Sequence, residues 1–255
     1  MLAMLISLPV SIGLLIWISR MKKQDPFPRY TFLKLIIAGI IAEILAGLIT
    51  TIGGVINLLI QIGPEQLALM TDTDSALKIL QQIAEANNDL TAQNLLISFI
   101  RTFLLIGLAE ELMKFFGAKI VMRKPGTANT WMDALLCFAI AAIGFQLFED
   151  MQYASGNIVT AIFRALTPFH FTFAVIMGYF YGMGKVKKSG LYTVFALVVP
   201  AWIHTMYDFS INLMTRNENF VVLVLAMNLF LFILTVIAVL QLRRWNREGT
   251  LDISI

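Results

Sequence analysis

The chain has few of the residues on which soluble or disulfide-stabilised domains depend. Of its 255 residues, 14% are charged, one is cysteine and two are histidines, whereas 58% are hydrophobic. The single cysteine, Cys137, excludes an intrachain disulfide and a cysteine-based metal site. The mean hydropathy of +0.79 is far above that of a soluble domain of this size. The composition therefore predicts a protein that crosses the membrane several times.

Two further patterns are missing. The short alternating strands of a membrane barrel are absent, so we expect α-helices to cross the bilayer. Residues 1–19 lack the basic start and the small-residue cleavage site of a signal peptide, so we expect them to form a first span. The formal net charge of +3 is explained by basic residues that cluster at span ends, where they set the orientation in the membrane. We therefore expect no nucleic-acid partner.

The apolar runs predict an all-α, polytopic transmembrane helical bundle with about seven spans. Their approximate limits are residues 2–19, 31–62, 95–121, 132–155, 168–184, 190–213 and 220–242. Every second connection is rich in Lys and Arg, which places the N-terminus outside and the C-terminus in the cytoplasm. Without internal repeats or a soluble insertion, we expect one membrane-embedded domain over residues 1–255, with its motifs between 95 and 213.

Three local features refine this prediction. The second span is long enough to need a hinge, for which Gly53 and Gly54 are candidates. Residues 75–86 have helical periodicity behind an Asp74 or Ser75 cap, which indicates either a lid or an ordinary helix on the outer surface. Residues 157–167 resemble a second short interfacial helix.

Ionisable residues inside the predicted spans indicate an internal polar site. A charge at mid-bilayer costs at least ~2.5 kcal/mol, so such residues face the protein interior and are candidates for function. The residues concerned are Glu43, Arg101, Glu110, Glu111, Lys114, Glu149, Asp150, His170, His204 and Asp208.

The segment A-E-E-L-M-K-F-F places two carboxylates and a lysine in an apolar run. Glu110 and Lys114 are one helical turn apart and are predicted to pair, which leaves Glu111 on another face. A desolvated carboxylate of this kind suits a general base that activates water. A purely structural ion pair with an unrelated glutamate explains the motif equally well.

Both histidines, His170 and His204, lie in apolar spans, and His204 shares a helix face with Asp208. Buried imidazoles at such positions ligate a metal, donate to an oxyanion or shuttle a proton. In G-F-Q-L-F-E-D-M-Q-Y, Glu149 and Tyr153 share a face and Asp150 is adjacent. The rise per residue along the predicted spans places Glu110, Glu149, His170 and His204 at depths that allow them to meet in the outer half of the membrane.

The motifs E-E-L-M-K, F-E-D-M-Q-Y, the downstream His170 and H-T-M-Y-D, in this order, resemble the PrsW family of intramembrane proteases, relatives of CAAX prenyl endopeptidases and bacteriocin-processing membrane proteins. The resemblance spans residues 110–208. It implies a catalytic centre formed by Glu110, Glu111, Glu149, His170 and His204. It also implies supporting roles for Lys114, Asp150, Tyr153 and Asp208, where Asp150 replaces the asparagine common in the family.

The resemblance implies a multi-pass protein of the bacterial plasma (inner) membrane, with the bilayer as its surroundings. Its substrate would be a single-span membrane protein, such as an anti-sigma factor whose cleavage releases a stress response.

Two mechanisms remain open. The zinc signature H-E-x-x-H is absent, but His170, His204 and Glu149 are a three-ligand set for a catalytic zinc. Alternatively, a glutamate activates water without a metal. Two other classes of protein also bury such residues: an ion-coupled transporter and a non-catalytic scaffold of the same fold.

Overall fold

The structure is a computed structural model that describes residues 2–21, 27–153, 162, 164 and 166–248. Throughout these residues every regular element is helical, as the sequence predicts. The α-helices are α1 (Leu2–Met21), α2 (Arg29–Leu69), α3 (Thr73–Asn88), α4 (Ala92–Thr102), α5 (Leu108–Met122), α6 (Trp131–Tyr153), α7 (Phe169–Val186), α8 (Gly190–Arg216) and α9 (Val221–Glu248). A π-helix, Phe103–Gly107, joins α4 to α5, and a 3-10 turn, Glu218–Phe220, precedes α9.

Four helices are long and apolar enough to cross a membrane: Arg29–Leu69, Trp131–Tyr153, Gly190–Arg216 and Glu218–Arg247. Three of them, Arg29–Leu69, Gly190–Arg216 and Glu218–Arg247, expose many large apolar side chains, as expected when the surrounding solvent is lipid. The predicted membrane class is therefore confirmed, whereas the count of seven spans and the orientation of the termini stay predictions.

Helix α6 is the centre of the bundle. It packs against α1, α2, α5 and α7, and 89% of its most apolar 18-residue stretch is buried. A helix that is apolar on all sides has no polar face to offer solvent, so it must be surrounded by other helices or by lipid. This central position carries Glu149 and Asp150, near the end of α6, into the protein interior.

Small residues let the helices around α6 approach closely. A Cβ atom on Gly39 of α2 would lie 1.9 Å from the Ala141 carbonyl oxygen, and one on Gly144 of α6 would lie 2.3 Å from the Ile36 carbonyl oxygen. Such contacts between helix backbones are typical of membrane proteins, where packing of small residues replaces the hydrophobic effect. They hold α6 against α2.

The hinge of α2 is not at the predicted glycines. The backbone stays helical through Gly53 and Gly54 and leaves the helical region at Gly63, which has φ 65° and ψ 166°. Pro64 explains the position, because proline excludes the helical conformation from the residue before it and glycine tolerates a positive φ. Gly53 instead lies against the Leu105 side chain of the π-helix.

The predicted surface helix exists as α3, but Asp72 caps it rather than Asp74 or Ser75. Asp72 accepts a hydrogen bond from the Ser75 backbone N–H at 2.8 Å, and the Ser75 hydroxyl completes a capping box. The sequence prediction missed Asp72 because α3 begins at Thr73, two residues before the stretch with apolar periodicity begins. Most of the second interfacial helix predicted at 157–167 lies outside the described residues; residues 162, 164 and 166 are helical.

Candidate active site

Four helices, α5 to α8, bring the predicted carboxylates and imidazoles together inside the bundle. α5 contributes Glu110 and Glu111, α6 contributes Glu149, α7 contributes His170 and α8 contributes His204. The π-helix immediately before α5 adds a residue to one helical turn and so sets the rotation of the two glutamates; π-helical turns are frequent at functional sites. The five groups predicted from separate parts of the chain are therefore neighbours.

The predicted pairing of Lys114 with Glu110 is wrong. Lys114 Nζ donates to Glu111 Oε1 at 2.6 Å, and this pair is almost fully buried, with 2% and 0% of the two side chains exposed. Residues three apart on a helix are neighbours just as residues four apart are, so spacing alone does not choose between the two glutamates. Contacts with α7 and α8 make the choice.

His170 connects α5 to α6. Its Nδ1 atom lies 2.8 Å from Lys114 Nζ, and its Nε2 atom lies 2.5 Å from Glu149 Oε2. Because a lysine ammonium can only donate, Nδ1 is the acceptor and the Nε2 proton is donated to Glu149. The imidazole is thereby held in one tautomer and one orientation.

His204 is surrounded by carboxylates. Its Nδ1 atom lies 3.0 Å from Glu111 Oε1, and its Nε2 atom lies 3.2 Å from Asp208 Oδ2 and 3.8 Å from Glu110 Oε2. The two imidazole rings are 5.3 Å apart between centroids. Both histidines therefore face the same small volume as the paired glutamates.

The site is closed on one side by aromatic rings and open on the other. Phe173 lies 5.2 Å from the His204 ring, and Phe145 lies 5.0 Å from the His170 ring. The side chains of Glu110 and Asp208 keep 15% and 23% exposure, whereas that of His170 has none. The site is therefore least enclosed at Glu110 and Asp208.

Arg164 is a site residue that sequence reasoning missed. Its Nη2 atom donates to Glu149 Oε2 and its Nε atom donates to Asp150 Oδ1, both at 2.6 Å. It follows Glu149 by 15 residues through a connection, so no helix periodicity relates the two. The only signal was the presence of an arginine after two adjacent acids.

The remaining predicted residues lie at the margin. Tyr153 is 54% exposed and its ring lies 4.7 Å from the Arg164 guanidinium carbon, so it borders the arginine and not the imidazoles. Glu43 accepts a hydrogen bond from Gln152 Nε2 at 2.5 Å. Arg101 lines a different cavity, described below.

The donor set fits a divalent metal ion. Glu110, His170 and His204 each present one ligand atom, and these atoms lie within 4.8 Å of one another. The buried Oε2 atom of Glu110 makes no hydrogen bond to any described residue, as expected of an oxygen reserved for a metal or water. Two imidazoles and one carboxylate are a known catalytic zinc set. Both ring nitrogens of His170 have protein partners, so a metal there would replace one of these contacts.

The predicted ligand set named Glu149, whereas the carboxylate whose oxygen lies within 4.8 Å of the His170 and His204 ligand atoms is that of Glu110. The Oε2 atom of Glu149 already binds His170 Nε2 and the Arg164 guanidinium. Glu149 is thus a carboxylate that orients an imidazole, the usual arrangement behind a metal-ligating histidine. The sequence did not reveal this because it did not place Arg164 beside Glu149.

Comparison with known proteins agrees with these motifs. The model of the PrsW family of intramembrane metalloproteases matches residues 27–239. The chain is 31% identical to Protease PrsW of Halalkalibacterium halodurans over 48% of this chain and 59% of that protein. It is 30% identical to Protease PrsW of Oceanobacillus iheyensis, over 60% of this chain and 71% of the relative, and 30% identical to that of Bacillus subtilis, over 53% and 63%.

No solved structure matches the chain. The region matched by the family nevertheless contains every helix that contributes to the site, from α5 to α8. The resemblance of the four motifs is thereby confirmed, and the chain belongs to the PrsW family of intramembrane metalloproteases.

Proposed function

We propose that this protein hydrolyses a peptide bond of a membrane protein at the site between α5 and α8. The observation that carries the proposal is the convergence of three glutamates and two histidines from four helices inside the bundle. Glu110 and His204 are 3.8 Å apart there, and Glu111 is 3.0 Å from the same imidazole. Buried ionisable groups in a membrane protein are costly, so a functional role is the expected reason for their presence.

Glu110 is the group best placed to accept a proton from water. Its Oε2 atom makes no hydrogen bond to the described residues and its side chain is 15% exposed. Glu111 also has an Oε2 atom without a hydrogen bond to the described residues, but its side chain is fully buried and its Oε1 atom is held by Lys114 and His204. A general base needs an unoccupied oxygen within reach of the attacking water. Glu111 is then the carboxylate that fixes the position of His204.

His204 is placed to stabilise the oxygen of the scissile carbonyl group, and Asp208 is placed to orient the His204 ring. The His204 Nε2 atom lies on the same side of the imidazole as Glu110, and its contact with Asp208 Oδ2 at 3.2 Å orients the ring. A donor at this position stabilises the negative charge that develops during attack on the carbonyl.

If the protein binds a metal ion, Glu110, His170 and His204 are the residues that would hold it. A bound zinc would polarise the carbonyl and lower the pKa of a bound water. In that case Glu111 is the remaining buried carboxylate near the site, and it would take the place of Glu110 as base. His170 would be oriented by Glu149, which Arg164 holds in turn.

The proposed substrate is a single-span membrane protein cleaved on the outer side of a bacterial plasma membrane, an anti-sigma factor being one example. Support comes from the family resemblance and from the bacterial origin of the relatives. The proposed topology has seven spans, with the N-terminus outside and the C-terminus inside, on the basis of the alternating basic connections.

Topology is testable with single cysteines, because the sole cysteine, Cys137, is buried in α6. In a Cys137→Ala background, a cysteine at Leu77 in α3 should react with a membrane-impermeant thiol reagent in intact cells. A cysteine at Lys188 should react only after the membrane is opened. The reverse pattern would invert the proposed orientation.

Activity is testable with purified protein reconstituted beside a candidate single-span substrate. A protease yields a cleaved product, which Glu110→Gln should abolish. A transporter would instead move a solute without cleavage, and a scaffold would bind the substrate without either result.

A further inference from the structure

A second polar cavity, separate from the candidate active site, lies between α2, α4 and α8. Its volume is about 290 Å³, and it is lined on its polar side by Asn94, Ser98, Arg101, Asn212 and Arg216. We propose that this cavity binds the phosphate group of an anionic membrane lipid.

Among the described residues, the cavity is lined by two positive charges and by no negative one. Arg101 and Arg216 both line it, and the lining contains no aspartate or glutamate. The ion pairs between described residues all involve other groups. Two guanidinium groups in one cavity repel each other, and a bound anion relieves this repulsion. The membrane orientation rule does not explain them, because in the proposed topology both lie on the outer side.

Neighbouring side chains hold the donors in place. Arg216 Nη2 donates to Ser98 Oγ at 2.7 Å, and the Ser98 hydroxyl donates to Asn212 Oδ1 at 3.1 Å. The Nη1 atom of Arg216 is buried and makes no hydrogen bond within the described part of the chain. A buried guanidinium nitrogen usually has an acceptor, so this atom is a donor available to a ligand. Guanidinium groups suit phosphate, because two parallel N–H groups match two phosphate oxygens.

The surroundings of the cavity favour a lipid over a soluble anion. Ile97 and Leu105 form part of its wall. The α2 helix lines the cavity with Thr50 and Gly54, and on its other faces it exposes Ile52, Val55 and Ile56, whose exposures are 58%, 52% and 53%. Exposed apolar side chains on a candidate spanning helix face acyl chains. A ligand with an anionic head and apolar chains therefore matches a cavity that has guanidinium donors, an apolar wall and a candidate spanning helix at its side.

The cavity is remote enough from the candidate active site to be tested alone. Along the helix axis, Arg101 lies about 14 Å from Glu110 and Arg216 lies about 18 Å from His204, at about 1.5 Å per residue. Ligand binding at the cavity does not depend on hydrolysis, so the outcome is independent of the proposed function.

The test uses the full-length protein purified in an uncharged detergent. Three probes are titrated: a short-chain phosphatidylglycerol, the matching phosphatidylcholine and inorganic phosphate. Binding is followed by the shift in melting temperature and by the number of lipids retained in native mass spectrometry. We expect phosphatidylglycerol to bind at least about tenfold more tightly than either of the other probes.

Variants locate the binding to this cavity. Arg101→Gln and Arg216→Gln should each weaken phosphatidylglycerol binding about tenfold, the effect of losing one charge-assisted hydrogen bond. Arg123→Gln is the matched control, because Arg123 is an exposed arginine at the other end of α5, and it should bind like the wild type. Arg216→Lys keeps the charge but cannot contact Ser98 and a phosphate in the same bidentate way, so an intermediate loss is expected.

Several results would overturn the proposal. One is unchanged phosphatidylglycerol affinity in both glutamine variants, and another is an equal loss in Arg123→Gln, which would indicate general surface electrostatics. Binding of inorganic phosphate as tight as that of the lipid would assign the cavity to a soluble anion. If the glutamine variants melt at a lower temperature without lipid, Arg101→Lys and Arg216→Lys decide, and wild-type affinity in both would contradict the site.

Discussion

Lys114 Nζ lies 2.6 Å from Glu111 Oε1, so the lysine of the E-E-L-M-K motif pairs with the second glutamate and not with the first. The two adjacent carboxylates consequently have different surroundings. Glu111 is fully buried and its Oε1 atom contacts both a lysine and an imidazole, whereas Glu110 is 15% exposed and its Oε2 atom lies 3.8 Å from His204 Nε2. This difference separates a structural from a chemical contribution, and it is open to experiment.

Substitution of the two glutamates should have different effects on stability. Glu110→Gln is expected to abolish hydrolysis with little change in melting temperature. Glu111→Gln is expected to abolish hydrolysis and also to destabilise the protein by about 3 kcal/mol or more, because it leaves the buried Lys114 ammonium without a counter-charge. Thermal unfolding in detergent and product formation measure the two effects. Equal loss of stability in both variants would contradict the observed pairing.

Arg164 should act on the reaction through Glu149. Arg164→Gln removes both hydrogen bonds, to Glu149 and to Asp150, and is expected to lower kcat by about 10–100-fold with little change in KM. Arg164→Lys should retain part of the activity, because a lysine can hold one of the two carboxylates. Arg29→Gln, at an exposed arginine, serves as control. A change confined to KM would indicate instead that Arg164 contacts the substrate.

The candidate ligand set of Glu110, His170 and His204 makes a prediction about metal content. If the wild-type protein purifies with about one zinc, chelation should abolish hydrolysis, and zinc should restore it. Metal analysis should then find no zinc in Glu110→Ala or His204→Ala, whereas Glu149→Gln should retain the site with about 10–100-fold weaker affinity. Loss of zinc only in Glu149→Gln would restore the ligand set expected from the sequence. Full activity without any bound metal would favour the glutamate-only mechanism.

Close packing at Gly107 should be essential to the site. A Cβ atom there would lie 2.2 Å from Thr205 Oγ1 and 2.7 Å from the Ala201 carbonyl oxygen, so α8 would have to move. Gly107→Ala is expected to cost about 1–3 kcal/mol and to lower activity, because Thr205 adjoins His204. Gly47→Ala, where a Cβ meets nothing within 4 Å, is the matched control. Melting temperatures that are the same for both variants would contradict this contact.

The cap of α3 should depend on pH. The hydrogen bonds from Ser75 lower the pKa of Asp72 below its ordinary value, so the carboxylate form stabilises the helix start. Its contribution is complete above the unfolded-state pKa of about 3.9 and is lost as pH falls through the lower folded-state value. Asp72→Asn keeps the cap without this titration. Hydrogen exchange of α3, taken relative to Asp72→Asn at each pH, should rise only in acid; a ratio independent of pH would contradict the prediction.

The parts of the site that could be predicted from the sequence are those that depend on composition and local spacing. Glu110, Glu111, His170 and His204 are conspicuous because their spans are otherwise apolar, and a charge in such a span needs a partner. Partner choice is not local: Lys114 is one turn from both glutamates, and only the positions of His170 and His204 draw its ammonium toward Glu111.

The hinge of α2 and the arginine of the site show two other kinds of limit. Gly63 could have been identified from the proline that follows it, since the local rule is strong. Arg164 could not, because its contact with Glu149 crosses a connection of irregular spacing. The sequence prediction named Glu149 rather than Glu110 as a candidate metal ligand because it did not include the contact between Arg164 and Glu149.

The sequence by itself determined that the chain is helical, lies in a membrane and carries costly ionisable groups, because these properties follow from apolar content and from the cost of burying charge. Only the tertiary structure decided which groups meet. How the helices rotate and pack against α6 decides which side chains pair, how the imidazoles are oriented, and where the candidate active site and the separate cavity lie. That arrangement arises from contacts between residues far apart in the chain.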